Sequence, residues 1–200
     1  VGIKYIETNV FDDFRKKVED YKPSVIMLST VEPTHKFGVE LLKKVKDLKI
    51  PTFVGGCFAI FAPELAIKDK AVDYVCKGEA ESIMVEMVQK ANQGEPLDTI
   101  QGVVSRLKLA ESKMNNSALP TSPLIDNLDE IPLPAWDLIP MSDYLVSSNR
   151  ARRMDEISND FAATIVTSRG CPFSCTFCAT WTVHGRKMRF RSVTTLPSLL

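Results

Sequence analysis

The apolar positions of the first hundred residues switch repeatedly between two spacings. Phe11, Phe14, Val18 and Tyr21 recur every three or four residues, as on one face of an α-helix, whereas residues 25–28 form a short apolar run typical of a buried strand. The same two signals alternate further along the chain. They predict, in order, a strand over 1–6, a helix over 11–21, a strand over 25–28, a helix over 36–48, a strand over 52–54, a short helix over 63–68, a strand over 73–76 and a helix over 81–92.

This alternation predicts an α/β fold with a parallel sheet flanked by helices, because each strand–helix–strand unit brings two parallel strands together. Ligands bind such sheets at the carboxyl ends of the strands. Small, polar or glycine residues follow three of the predicted strands, and they are Ser29, Thr30, Gly55, Gly56, Cys57, Gly78 and Glu79. These residues are candidates for a ligand site, and the alternative is that they are ordinary turn residues.

The chain after residue 100 has a different character. Residues 102–109 alternate as in a strand, and Asn115 and Asn116 indicate a turn, which together predict a hairpin on the edge of the sheet. A proline-rich stretch over 120–140 predicts an extended, semi-rigid connector. We therefore expect three parts: a sheet domain over 1–110, a hairpin and proline-rich linker over 111–160, and the start of a second domain over 161–200.

A group of three cysteines opens that last part. Cys171, Cys175 and Cys178 are spaced C-x3-C-x2-C on a loop that follows a β-branched run at 164–167. Three thiolates on one loop can hold three irons of a [4Fe–4S] cluster and leave one iron open, because a cluster held wholly by protein needs four ligands. Two alternatives stay open: a zinc site in which His184 is the fourth ligand, and three inert buried side chains.

Basic residues follow the cysteines, and they are His184, Arg186, Lys187, Arg189 and Arg191. They are interpreted either as a solvated basic loop or as a group that attracts an anionic substrate.

Composition narrows the function classes. The 25 basic and 25 acidic residues cancel, so a general affinity for nucleic acid or for membrane surfaces is not expected. Five cysteines, three of them clustered, favour a reducing, cytoplasmic location, and Cys57 and Cys76 are interpreted as small buried residues. The chain begins at Val1 and ends within a predicted helix, so we expect it to be a piece of a longer protein.

The cysteine loop resembles the signature of the radical SAM family. In that family the open iron binds S-adenosylmethionine, and one electron from the [4Fe–4S] cluster cleaves it to a 5′-deoxyadenosyl radical. The resemblance assigns Cys171, Cys175 and Cys178 as cluster ligands. It also places the aromatic residue before the third cysteine, Phe177, near the adenine of S-adenosylmethionine.

The sheet region resembles the cobalamin-binding domain that precedes the radical SAM domain in one branch of that family. The matching runs are Gly55-Gly56-Cys57 and Gly78-Glu79-Ala80-Glu81, and the connector over 126–137 is also similar. The resemblance implies a Rossmann-like, flavodoxin-like domain followed by the first β-α unit of a TIM-type barrel. It further implies that Ser29, Thr30, Gly55, Gly56 and Cys57 line the pocket for the nucleotide tail of cobalamin, with Gly78 and Glu79 on the neighbouring loop.

Two departures from the family pattern affect these expectations. The cobalt-binding motif D-x-H-x-x-G would place its histidine at His35, but Pro33 occupies the aspartate position, so His35 is interpreted as a helix-start residue. The first strand of a complete domain is expected to be missing. One wall of the site would then be open, and cobalamin binding by this chain would be weak or absent.

The resemblance implies an enzyme that transfers a methyl group to an unactivated carbon of a small molecule. The alternatives are a radical cyclase or oxidoreductase of the anaerobic magnesium-protoporphyrin ester cyclase type, and a cobalamin-binding module without turnover. The expected cofactors are a [4Fe–4S] cluster, S-adenosylmethionine and cobalamin. The expected electron donor is a flavodoxin or ferredoxin. This chain alone is expected to be inactive.

Overall fold

A computed structural model describes residues 9–139 and 165–194 of the chain. The strand predicted over 1–6, most of the polar stretch before the cysteine loop, and the last residues lie outside the described ranges.

Four strands form one mixed sheet in the order β1-β2-β3-β4. The first three are parallel, and β4 runs antiparallel to β3 at the edge. Their bounds are Ile26–Ser29 (β1), Thr52–Gly55 (β2), Tyr74–Cys76 (β3) and Val103–Ser105 (β4). The parallel order places the carboxyl ends of β1, β2 and β3 at one edge, as the strand–helix alternation predicted.

Helices connect the strands and cover the sheet, and their bounds are Val10–Tyr21 (α1), Glu32–Lys43 (α2), Cys57–Phe61 (α3), Pro63–Ala66 (α4), Glu81–Gln93 (α5) and Arg106–Met114 (α6). Single 3₁₀ turns occur at Lys46–Leu48, Leu97–Thr99, Leu128–Glu130 and Trp136–Leu138. Gly94 ends α5 in the left-handed conformation that glycine adopts readily. The order of the predicted helices is confirmed, but α2 spans Glu32–Lys43 rather than 36–48, α4 ends at Ala66 rather than at 68, and α3 was missed.

The core lies on both faces of the sheet. Val54 and Val75 face one hydrophobic cluster, where they pack with Leu42 of α2. Phe53 faces the opposite side, in a cluster with Met87 of α5. Burying a side chain of this size contributes roughly 1.5–3 kcal/mol, so the alternation along β2 fixes which face each helix covers. None of the described helices is long and apolar enough to cross a membrane.

The predicted hairpin after residue 102 is wrong. Strand β4 covers only Val103–Ser105, and helix α6 follows it directly. Ser105 starts this helix, because its hydroxyl accepts a hydrogen bond from the backbone N–H of Lys108. The residues from Arg106 to Met114 are mostly strong helix formers, and this preference outweighs the alternating pattern. The two asparagines end the helix rather than turn a hairpin.

The cysteine loop lies in a separate small unit. Strand β5 (Ser168–Arg169) pairs antiparallel with β6 (Arg189–Phe190), and helix α7 (Thr180–His184) lies between them in the chain. Of the strand predicted over 164–167, the described residues 165–167 are irregular, and the strand begins instead at Ser168, where β6 supplies its partner. Because the pairing is antiparallel, the described residues show no parallel β-α unit of a barrel.

Candidate functional site

A cavity of about 500 Å³ opens at the carboxyl ends of β1, β2 and β3. This volume is typical of small-molecule sites, which span roughly 300–1,000 Å³. Its floor is mainly apolar and includes Met27, Phe53, Ile60, Met84 and Met87. The candidate residues that line it are Ser29, Gly55, Gly56, Cys57, Gly78 and Glu79.

Thr30 is the candidate residue outside the lining, and it holds two loops of the site together. Its backbone N–H donates to Gly55 O at 3.0 Å, and its carbonyl accepts from the N–H of Phe58 at 3.2 Å. Gly56 has φ +84°, and a Cβ there would lie 2.7 Å from the carbonyl oxygen of Thr30. The sequence needs glycine at this position because the two loops approach too closely for a side chain.

His35 lies near the start of α2, as interpreted from the sequence, and it is not among the cavity-lining residues. Its Nδ1 lies 3.3 Å from the hydroxyl oxygen of Thr30, and its ring contacts the ring of Phe58 with centroids 4.5 Å apart. Burial lowers the pKa of His35, against a smaller opposing effect of Asp69. The neutral imidazole therefore packs against Thr30 and Phe58 and supports the loops of the site from outside the cavity.

Gly78 contacts the connector as well as the cavity. Its φ is +107°, and a Cβ there would collide with Ser122. Ser122 donates its backbone N–H to Lys77 O at 2.9 Å and its hydroxyl to the carbonyl of Glu79 at 2.6 Å. The loop after β3 is thus covered on one side by the connector.

The carboxylate of Glu79 is fully engaged by other residues of the chain. Its side chain is 2% exposed and forms two hydrogen bonds with the guanidinium of Arg189, at 2.7 and 2.9 Å. The N–H of Ile125 donates to it at 2.9 Å, Arg169 lies 3.3 Å away, and Nδ1 of His184 lies 3.5 Å away. These contacts connect the sheet, the connector and the segment over 165–194, which we call the cysteine segment.

The arginines determine the charge of this buried carboxylate. Burial raises the pKa of Glu79, but the hydrogen bonds from Arg189 and Ile125 and the charges of Arg169 and Arg189 outweigh burial and lower it to about 2. Arg169 also bonds to Glu81 at the start of α5. The network therefore stays ionised at neutral pH.

The cysteine segment supplies one wall of the cavity. Arg169, Val183 and His184 line it opposite the loops of the sheet. Arg169 lines the cavity and is two residues before Cys171. The same stretch of chain therefore forms part of the cavity wall and leads into the cysteine loop.

The three cysteines are free thiols on one loop. The N–H of Cys171 donates to Gly185 O at 3.1 Å, and the N–H of Cys178 donates to Cys175 O at 3.2 Å. Cys175 is exposed, and Phe177 is 91% exposed. Within the described ranges, no three His, Cys, Asp or Glu side chains are gathered closely enough to hold a metal ion.

Comparison with known proteins identifies the sheet region. The model of the B12 binding domain matches residues 2–88. Residues 2–88 thus resemble the B12-binding domain family, as the sequence predicted. This agrees with the strand order and with the position of the cavity.

Longer relatives extend the similarity to the cysteine segment. An uncharacterized methyltransferase of Pyrococcus horikoshii is 30% identical over 190 residues, which are 94% of this chain and 38% of that protein. The anaerobic magnesium-protoporphyrin IX monomethyl ester cyclase of Rubrivivax gelatinosus is 26% identical, over 85% of this chain and 29% of that protein. The chain thus spans between a quarter and two fifths of the length of these relatives.

A solved structure shows the same fold. The cobalamin-dependent S-adenosylmethionine radical enzyme OxsB, with aqua-cobalamin and S-adenosylmethionine bound, matches with a TM-score of 0.71 at 21% identity, over 94% of this chain and 24% of that one. This likeness shows the fold, and the family match and the relatives together confirm the predicted resemblance.

The three thiols of the cysteine loop are the type of ligand that holds an iron–sulfur cluster. Three free thiols lie on one partly exposed loop, and hydrogen bonds from Thr180 lower the pKa of Cys178, which favours the thiolate that binds metal. The zinc alternative stays open, because His184 places Nδ1 3.5 Å from Glu79 in the cavity wall and this contact leaves Nε2 as the nitrogen that could bind a metal ion.

The basic residues after the cysteines have structural partners, which the sequence interpretation missed. Arg186 donates to Phe173 O at 3.2 Å and to the hydroxyl of Ser174 at 3.1 Å, within the cysteine loop. Arg191 donates to Ile131 O at 3.1 Å. Arg189 is buried, so the interpretation of a solvated loop is wrong for that residue.

Cys57 is exposed at the cavity rather than buried, whereas Cys76 is buried as expected.

Proposed function

We propose that this chain is the cobalamin-binding and cluster-binding part of a cobalamin-dependent radical SAM enzyme. The observation that carries the proposal is the shared cavity: the B12-binding domain forms its floor, and the segment that bears three cysteines forms a wall. One cofactor bound there would contact both parts of the chain.

The cavity suits the nucleotide tail of cobalamin. Its apolar floor can bury an aromatic base, and Gly55 and Gly56 allow close approach to the backbone at its rim. Ser29 and Cys57 supply exposed polar side chains at the same edge. Thr30 acts on these loops through its backbone, while Gly78 and Glu79 shape the neighbouring loop.

Cys171, Cys175 and Cys178 are proposed to hold three irons of a [4Fe–4S] cluster. When bound, such a cluster supplies the electron that cleaves S-adenosylmethionine. Phe177, with its ring exposed beside Cys178, is proposed to pack against the adenine. The residues of this chain bind and orient, and the cofactors supply the chemistry.

Methyl transfer to an unactivated carbon of a small molecule is the reaction we propose, with a flavodoxin or ferredoxin as electron donor. The similarity to a methyltransferase of Pyrococcus horikoshii supports it. A cyclase-type reaction is the second candidate, supported by the similarity to the magnesium-protoporphyrin ester cyclase. A cobalamin-binding module without turnover is the third, supported by the family match alone.

Titration of the chain with hydroxocobalamin tests the proposal, with binding followed by the cofactor's visible spectrum. We expect weak but saturable binding, which Gly56→Trp abolishes because a Cβ there already meets the backbone of Thr30 and the larger side chain displaces the two loops at the cavity rim. Gly94→Trp is the matched control: this glycine also has positive φ, but a Cβ there meets nothing within 4 Å. Equal binding by both variants, or no binding by the native chain, would contradict the proposed cavity.

A further inference from the structure

Glu79 lies where three parts of the chain meet. It follows β3 of the sheet, accepts a hydrogen bond from the connector at Ile125, and pairs with Arg189 of the cysteine segment. Arg189 also donates to Ile125 O at 2.6 Å and to His184 O at 2.8 Å. One buried carboxylate and one buried guanidinium thus fix the connector, β6 and the end of α7 against the sheet.

This ion pair differs from an exposed one that joins the connector to the cysteine segment. Lys187 and Asp126 lie 2.9 Å apart, but their side chains are 76% and 78% exposed. Exposed pairs contribute little to stability, whereas removing one partner of a buried pair leaves an uncompensated buried charge. We call the packing of the cysteine segment against the sheet docking. Docking therefore depends far more on Glu79 than on Asp126.

Docking also completes the cavity. Arg169, Val183 and His184 belong to the cysteine segment, and Ser29 and Gly56 belong to the sheet, yet all five line one cavity. A ligand that contacts both walls binds more tightly to the docked arrangement than to an undocked one. By linkage, such a ligand must stabilise docking by the same factor by which docking strengthens its binding.

We propose that Glu79 is a positioning residue, rather than a cofactor contact, whose pairing with Arg189 couples cobalamin binding to docking of the cysteine segment. This proposal rests on the proposed function, since cobalamin is the ligand that reports the coupling. Binding of cobalamin in the cavity then also orders the loop that bears Cys171, Cys175 and Cys178.

Hydrogen exchange of the whole chain, with and without hydroxocobalamin, measures both sides of this coupling. In the native chain we expect cobalamin to slow exchange over 165–194 as well as at the cavity loops. Glu79→Gln should speed exchange over 165–194 without ligand, leave β1 and β2 protected, and weaken cobalamin binding by about 5–150-fold, the usual range of coupling between sites. Asp126→Asn, the matched control, should change neither quantity.

Arg189→Lys is the second variant, because it keeps the positive charge but cannot form the paired hydrogen bonds with the carboxylate. It should reproduce the effects of Glu79→Gln, with β1 and β2 still protected. If either variant shows protected strands, native exchange over 165–194 and native cobalamin affinity, the positioning role is overturned. Absence of cobalamin binding by the native chain would instead overturn the proposed function, while faster exchange over 165–194 in both variants without ligand would still establish the docking role.

Discussion

The carboxylate of Glu79 and the guanidinium of Arg189 form two hydrogen bonds across 110 residues of sequence, and both side chains are almost completely buried. Glu79 lies in the region that matches the B12 binding domain, and Arg189 lies in the segment that bears the three cysteines. Their pairing makes the two parts share a cavity.

Acid should weaken the fold through Glu79. Its pKa is lowered to about 2 from an ordinary value of 4.5, so its contribution is present above pH 4.5 and is lost as the pH falls toward 2. A shift of this size corresponds to about 3 kcal/mol of unfolding free energy. Glu79→Gln should therefore be less stable than the native chain at neutral pH, and the difference should shrink on acidification. Urea unfolding of both proteins across this range measures it, and a constant difference would contradict the assigned pairing.

The loop contact at Gly56 should tolerate no side chain. Gly56→Ala places a Cβ against the backbone of Thr30, where nothing flexible can yield, in addition to the strain of positive φ. Gly94→Ala carries the backbone strain alone. We expect Gly56→Ala to lose about 1–3 kcal/mol more than Gly94→Ala, by analogy with overpacked cores. Equal losses in thermal or chemical unfolding would show that the two loops do not approach as described.

His35 should make stability fall below about pH 6.5, the ordinary pKa of histidine. Burial lowers its folded pKa, so the unfolded chain binds a proton first as the pH falls, and stability is lost from that point downward. His35→Gln can keep a hydrogen bond to Thr30 but has no proton to gain. Urea midpoints at about pH 8 and about pH 5.5 should differ less in this variant than in the native chain. If the urea midpoints of the native chain and of His35→Gln depend on pH in the same way, His35 is not the source of the loss of stability in acid.

Helix α6 should depend on its first residue. Ser105→Ala removes the hydroxyl that accepts from Lys108 N–H and should cost about 0.5–2 kcal/mol. Hydrogen exchange over 106–114 should quicken in the variant. If exchange there is unchanged, the segment is not held as a capped helix.

Periodicity alone predicted the parallel strands and most helices, because each carries its own apolar face. It failed after residue 102, where alternation in 102–109 competes with strong helix formers and with the cap at Ser105. Resemblance directed attention to the loop that carries Glu79, but it gave no sign of the pairing with Arg189. Nothing in the sequence distinguishes Arg189 from the neighbouring Arg186, Lys187 and Arg191, because the carboxylate that selects it lies far away in the chain.

Anaerobic reconstitution with iron and sulfide tests the central claim most directly. The native chain should take up both elements and show iron–sulfur absorption that Cys175→Ala abolishes. Cys57→Ala, which removes an exposed thiol outside the cysteine loop, should retain the cluster. One zinc ion held by the three cysteines and His184, with no iron incorporated, would contradict the account.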